Sequence, residues 1–216
     1  MQLFHYHWWT DKPEEMERFY QELGFETNLR VGNYKGEMQT FKPPLEWEDF
    51  RDEEVRFRII QMVKGQTNIT FGQGKRDTFD HIGILVDESE YSQTVEKAQE
   101  IGWKVSEGER RTFISTPWKF KIELQKRTEV VTEEEHTFIK TMEILLPFSE
   151  KDLKSLRYIL DLNIAEQNSE RVEMGNPKWN LVFRSDEQTR LNSVKFHLGD
   201  EFNINDPVKA RLIGQN

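Results

Sequence analysis

Apolar positions along the chain switch repeatedly between two periods. Leu3 to Trp9 is a short aromatic-rich run and predicts a strand. Met16, Phe19, Tyr20 and Leu23 then fall at i, i+3, i+4 and i+7, the stripe of a helix with one buried face. Asp11-Lys12-Pro13-Glu14 reads as its start, with Thr10 or Asp11 as the cap, and Gly24 as its stop. Beyond Gly24 the runs shorten. Phe25 to Val31, Glu37 to Phe41, Val55 to Met62 and Asn68 to Phe71 are predicted strands between Gly, Asn and Pro breaks. The stretch from Pro43 to Asp49 reads as an acidic insertion.

The same order then recurs. Phe79 to Val86 predicts a strand, and Glu88 to Ile101 a helix with Tyr91, Val95, Ala98 and Ile101 inward. Gly102-Trp103 echoes Gly24-Phe25, and strands are expected at Trp103 to Val105, Thr112 to Ser115 and Phe120 to Gln125. A third copy opens near Phe138. Its strand is Ile139 to Leu146, and its helix is capped by Ser149 with Leu153, Leu156 and Leu160 inward. Leu181 to Arg184 and Asn192 to Leu198 follow as strands, and the polar tail after Gly199 is expected to wrap or fray. Repeated units shape the whole reading. It is an α+β chain of tandem βαβββ modules at 1–75 and 76–128, with a third, degenerate module at 137–216. Glu133, Glu134 and Glu135 read as a solvated linker, and His136 within it is assigned no role.

Composition narrows the class. With 216 residues the chain is long enough to bury a core, and fifteen Phe and six Trp argue for a folded globule despite abundant charge. The net charge of −9 disfavours nucleic acid and anionic lipid as partners. There is no cysteine, so thiolate metal sites and disulfides are excluded. No apolar run approaches a membrane span, and Met-Gln-Leu-Phe-His-Tyr-His has no signal-peptide pattern. The expectation is a soluble, cytoplasmic protein with a small-molecule partner.

Two strand patterns carry a resemblance. His5-Tyr6-His7-Trp8-Trp9-Thr10-Asp11 leads to Phe19-Tyr20-Gln21-Glu22-Leu23-Gly24-Phe25. Phe79-Asp80-His81-Ile82-Gly83-Ile84-Leu85-Val86 is the same kind of opening strand, and Thr116-Pro117-Trp118-Lys119-Phe120-Lys121-Ile122-Glu123-Leu124 a matching closing strand, with Lys119 where glycine is usual. In this order the motifs resemble the vicinal oxygen chelate (VOC domain) superfamily of glyoxalases, bleomycin-resistance proteins and extradiol dioxygenases. The resemblance covers the first ~130 residues well and the third copy loosely.

That resemblance implies a glyoxalase-like incomplete barrel whose metal ligands come from the first and last strand of each module. The equivalent positions here are His5, Thr70, His81 and Glu123. Two imidazoles and a carboxylate, His5, His81 and Glu123, suit a divalent metal ion, Fe, Mn or Zn, with positions left open. A register slip of two would instead make His7 a ligand. Strand alternation adds a test from the residues themselves. His5, His7 and Trp9 share one face, as do Lys119, Lys121, Glu123 and Gln125, opposite apolar Phe120, Ile122 and Leu124. A polar concave face of this kind predicts a cavity holding water or ligand.

His7 is the candidate acid–base residue, and Trp9, Thr70 and Lys121 are candidate substrate contacts. Packing or rim positions for Trp9, and a surface role for Lys121, are the plainer readings. The expected activity is that of a metal-dependent enzyme on a small oxygen-chelating substrate, extradiol dioxygenase-like or a lyase or transferase. The alternative is a metal-free ligand-sequestering protein of the bleomycin-resistance type. Glu143 and His197 in the third copy are read either as half of a second site shared with another subunit or as part of a capping unit or homodimer interface.

Overall fold

The computed structural model describes residues 1–132 and 137–215, so Glu133, Glu134, Glu135 and His136 lie outside the described residues. The chain runs β1 (Gln2–Thr10), α1 (Pro13–Glu22), β2 (Glu26–Tyr34), β3 (Glu37–Phe41), β4 (Arg56–Lys64) and β5 (Thr67–Gln73). Next come β6 (Thr78–Leu85), α2 (Glu88–Glu100), β7 (Val105–Glu107), β8 (Thr112–Ser115) and β9 (Lys121–Gln125). The remainder is β10 (Phe138–Leu146), α3 (Glu150–Ile159), β11 (Asn163–Gln167), β12 (Arg171–Gly175), β13 (Asn180–Ser185), β14 (Arg190–His197), β15 (Phe202–Asn205) and β16 (Arg211–Gln215).

Two mixed sheets result. The first has the order β3-β2-β4-β5-β1-β6-β9-β8-β7, and the second β11-β12-β13-β10-β14-β16-β15. Within each unit the opening strand pairs in parallel with its closing strand, β1 with β5 and β6 with β9. The units join where β1 runs antiparallel to β6. The product is an α+β fold whose first sheet curves into an incomplete barrel.

The helices form for the reasons the sequence suggests, with local differences. Met16 and Tyr20 bury the inner face of α1, but so does Glu17. Lys12 holds the N-cap position without a side-chain bond, because the Thr10 hydroxyl accepts from the Lys12 amide and donates to Asp77 instead. In α2 the buried positions are Thr94 and Ala98, while Ile101, expected inward, lies past the helix end and is 40% exposed. Ser149 caps α3 through the Asp152 amide as expected.

The tail after Gly199 is not frayed. It forms β15 and β16, with β16 parallel to β14 and Val208, Ala210 and Leu212 buried. Residues 137–215 therefore hold one βαβββ unit, β10 to β13, and a second, helix-less unit, β14 to β16. The junction β10–β14 repeats β1–β6, including a register shift at the matching two places.

The core is continuous across both sheets. The ring of Phe25 meets Phe196 at 6.3 Å and that of Trp118 meets Phe183 at 6.3 Å. Phe25 follows α1 and Trp118 lies in the turn before β9, so both contacts fall outside the strands that carry His5 and His81.

Candidate metal centre

His5 and His81 approach each other because β1 and β6 are antiparallel neighbours. His5 pairs with Gly83 and His7 with His81. Gly83 is required by this packing. A Cβ there would lie 2.6 Å from His5 Cβ and 2.8 Å from Phe4 Cε1, so the imidazole sits where a side chain would be. On the outer strands the register is equally regular. His81 pairs with Lys121, and Glu123 lies two residues on; His5 pairs with Asn68, and Thr70 lies two residues on. Thr70 and Glu123 are therefore equivalent positions in the two modules, and only one of them carries a ligand atom.

His5, His81 and Glu123 converge, each buried, with ligand atoms all within 4.8 Å of one another. His5 Nε2 is 3.0 Å from His81 Nε2, which is 3.3 Å from Glu123 Oε2. Donors bound about 2.0–2.2 Å from a shared ion stand roughly 3.0–3.5 Å apart, which the two separations from His81 match, while the set as a whole spans up to 4.8 Å and would draw in around an ion.

The surrounding hydrogen bonds decide the tautomers. His5 Nδ1 lies 3.0 Å from the Asn68 carbonyl oxygen, an acceptor, so it carries the proton. His81 Nδ1 lies 2.8 Å from the Asp80 carboxylate, whose other contacts are to Lys121 Nζ at 3.0 and 3.1 Å. With both rings in these tautomers and no second proton, the two Nε2 lone pairs face each other and a carboxylate, and the one hydroxyl within reach of them among the described residues is Thr70 Oγ1, 3.4 Å from His5 Nε2. Three acceptors in a dry site repel unless a cation sits among them, and ligand histidines are oriented by such carbonyl and carboxylate partners. The residues present fit a divalent metal.

Electrostatics favour the same forms. Burial lowers the His5 pKa to about 4, with Glu123 opposing, so the ring is neutral at pH 7. Burial alone would raise Glu123, but a hydrogen bond from His81 and the positive charge of the imidazoles and Arg111 outweigh it and hold it at about 2; the proton that His81 Nε2 lends to this contact is the one a bound cation would replace. Asp80 is held below the usual carboxylate range: its desolvation is overcome by His81 and Lys121.

The other expected residues are distributed differently. Thr70 lines a cleft of about 270 Å³ that also takes in His5 and Glu123, whereas His7, Trp9 and Lys121 do not line it. His7 is buried, stacked on His81 at 4.8 Å and 6°, with Nδ1 2.6 Å from Thr70 Oγ1. Burial keeps it well below the ordinary imidazole pKa, and its Nε2 has no partner. Trp9 lies edge-on to His7 and under the Arg58 guanidinium at 5.5 Å. Lys121 is committed to Asp80. Lys119 is outside β9 in an exposed turn at φ +70°, the left-handed backbone region that glycine adopts most readily.

The cleft brings in residues that strand patterns did not single out. Its apolar wall is Leu29, Val31 and Ile59, and its polar wall includes Gln61, Gln125 and Arg111. Arg111 Nη1 lies 3.3 Å from Glu123 Oε2. The only sequence signal for Arg111 was its place in the hairpin before β8, which has no periodic pattern.

The second sheet does not repeat the ligand set. Matching register shifts put Thr141 at the place of His5, Ser193 at that of His81, Val182 at that of Thr70 and Ile213 at that of Glu123. Glu143 occupies the place of His7, not that of His5. Counting back from Tyr158 misplaces it, because Tyr158 is 44% exposed and is not the counterpart of buried Tyr20. Glu143 instead accepts from Arg184 and Asn192, and the ring of His197 stacks on Phe138 at 4.8 Å.

No family model and no curated protein sequence matches this chain. Solved structures do. The extradiol ring-cleaving dioxygenase from B. fuscum superposes with a TM-score of 0.68 at 13% identity, covering 99% of this chain and 71% of that one. The 2,3-dioxygenase LapB from Pseudomonas sp. gives 0.66 at 12%, covering 99% and 91%. The Mn(II)-bound glyoxalase from Novosphingobium aromaticivorans gives 0.63 at 11%, covering 92% and 66%. Shared strand order at this level of identity is a statement about architecture: the chain has the vicinal oxygen chelate fold.

Proposed function

We propose that this chain is a divalent-metal-dependent enzyme acting on a small substrate through two neighbouring oxygens. The observation that carries the reading is the convergence of two imidazole nitrogens and one carboxylate oxygen, the rings oriented by carbonyl and carboxylate partners, with His5 and Glu123 lining a cleft and His81 buried between them. Two histidines and one carboxylate are the facial set of non-haem Fe(II) oxygenases, and Mn(II) or Zn(II) also suit these donors. Of the three superposing proteins described above, two are named as ring-cleaving or 2,3-dioxygenases and one as an Mn(II)-bound glyoxalase, which favours extradiol-type cleavage, with lyase or transferase chemistry as the related possibilities.

His5, His81 and Glu123 would hold the ion, which when bound would supply Lewis acidity toward substrate oxygens. The chain's own groups do the remainder. Leu29, Val31 and Ile59 exclude water from one side of the substrate. Thr70 presents its hydroxyl to the cleft with His7 Nδ1 behind it, so a substrate proton can pass to Thr70 Oγ1 while its own proton moves to His7. His7 is neutral, and because burial opposes its taking a full positive charge, the proton is held there only while Thr70 Oγ1 holds that of the substrate, and returns by the same path. Trp9 and Lys121 act from behind, Trp9 by fixing the His7 ring and Lys121 by holding Asp80 on His81.

The test is metal content. The chain purified without chelators should carry close to one divalent ion by elemental mass spectrometry, and His81→Ala should carry almost none while keeping its fold by circular dichroism. A folded wild-type protein that takes up no divalent ion would remove the enzymatic reading and leave a metal-free binder.

A further inference from the structure

The charge around the cleft has the opposite sign to the chain. The protein carries a net −9, yet the cleft is lined by Arg110, Arg111 and Arg127, with Glu123 as its one acidic side chain. Glu123 is a ligand in the reading above and is contacted by Arg111. Arg110 is exposed and forms no ion pair among the described residues; Arg127 is half exposed and faces Glu129 at 3.7 Å. Two guanidinium groups thus stand at the mouth with little to neutralise them, while the interior wall is apolar. An ion of charge +2 held by neutral imidazoles and one carboxylate would add to the same sign.

We infer that the cleft is a binding site for a small substrate with an apolar, ring-sized body and an oxyanion group, carboxylate or phosphate, which Arg110 and Arg127 grip at the mouth. This deepens the proposed function and rests on it for the other end of the substrate. Guanidinium is suited to the task because it matches two-oxygen anions with paired donors and keeps its charge at any working pH. A cleft with cationic walls in an acidic protein also concentrates anions locally while the rest of the surface repels them. The small volume, about 270 Å³, falls just below the usual range of ligand pockets and limits the body to a single ring or short chain.

Calorimetric titration of the full chain with benzoate, phenyl phosphate and benzamide tests this at low ionic strength, with metal content measured on the same sample. At least one anion should bind about tenfold more tightly than neutral benzamide. The tighter of the two identifies the oxyanion. Arg110→Gln and Arg127→Gln should each reduce that preference, and the double variant abolish it, with metal content and melting temperature unchanged, since both side chains are exposed and apart from the ligands. Equal binding of all three probes, or a preference surviving in the double variant, overturns the inference. A preference present in a protein without metal would uphold the anion site and remove the metal-dependent reading; metal without a preference would do the reverse.

Discussion

At the residue scale the centre depends on groups that never touch the cleft. Asp80 holds the proton on His81 Nδ1 and is itself held by Lys121. Replacing it by Asn keeps the shape but removes the charge that orients and strengthens the imidazole. Asp80→Asn should therefore weaken divalent-ion affinity by about 10- to 100-fold with little change in fold. Competition against a chromophoric chelator reads this directly, and an unchanged affinity would show that Asp80 is only a surface partner of Lys121. The three candidate ligand positions were legible in the sequence through the family resemblance, and strand alternation added which side chains share a face with them. The partners behind them were not. Asn68 offers a main-chain carbonyl, which no residue type announces, and Asp80 reaches His81 only because a β-bulge near that point of β6 lets adjacent residues meet on one side.

At the element scale, α1 is clasped to β2 and to the acidic insertion by a buried ion pair. Glu17 and Arg30 are 0% and 1% exposed. Arg30 Nε donates to Glu17 Oε2 at 3.0 Å and Nη1 donates to the Leu45 carbonyl at 2.6 Å. Trp47 Nε1 donates to the same carboxylate at 2.9 Å, as does the Thr27 hydroxyl. Removing one partner leaves a charge without compensation. Arg30→Met should thus destabilise by about 3–5 kcal/mol in chemical denaturation, and the double replacement with Glu17→Leu by clearly less than the two single effects summed. Additive losses would mean that the pair is not coupled. The helix stripe predicted the apolar face of α1 but not Glu17, because periodicity assigns a charged residue to solvent unless its partner is known, and Arg30 lies on another element. Ile101 fails for the complementary reason: it continues the apolar stripe one step past the point where α2 ends.

At the scale of the whole molecule, the last hairpin is latched onto the first module. Asp206 Oδ1 accepts from the Val208 and Ala210 amides at 3.1 and 2.8 Å, and Oδ2 accepts from the Tyr20 hydroxyl at 3.1 Å, itself 2.9 Å from Tyr6. Burial raises the Asp206 pKa to about 7, although these donors pull the other way. A carboxyl whose pKa is higher folded than unfolded favours the fold most when protonated. Its contribution is complete below about pH 4 and is lost as pH rises through about 7. Asp206→Asn, which stays neutral, should show less fall in melting temperature between pH 5 and pH 8 than the wild type. Parallel melting curves for the two proteins would mean that the latch does not titrate in this range.

The sequence alone determined the alternation of helix and strand, the repetition of the unit and the inward faces of β1, β6 and β9, since these follow from periods of 3.6 and 2 that any short stretch displays. Only the tertiary structure decided what meets across the chain. It paired β1 with β6 so that two imidazole lone pairs oppose each other. It gathered arginines from two loops at one cleft, folded the polar tail after Gly199 into the last two strands of a helix-less unit, and set Thr141 of β10 beside Ser193 of β14 where the first sheet has histidines. Those outcomes depend on register between strands distant in sequence, where a shift of two residues exchanges one side chain for another on the same face, and local pattern carries no information about that choice.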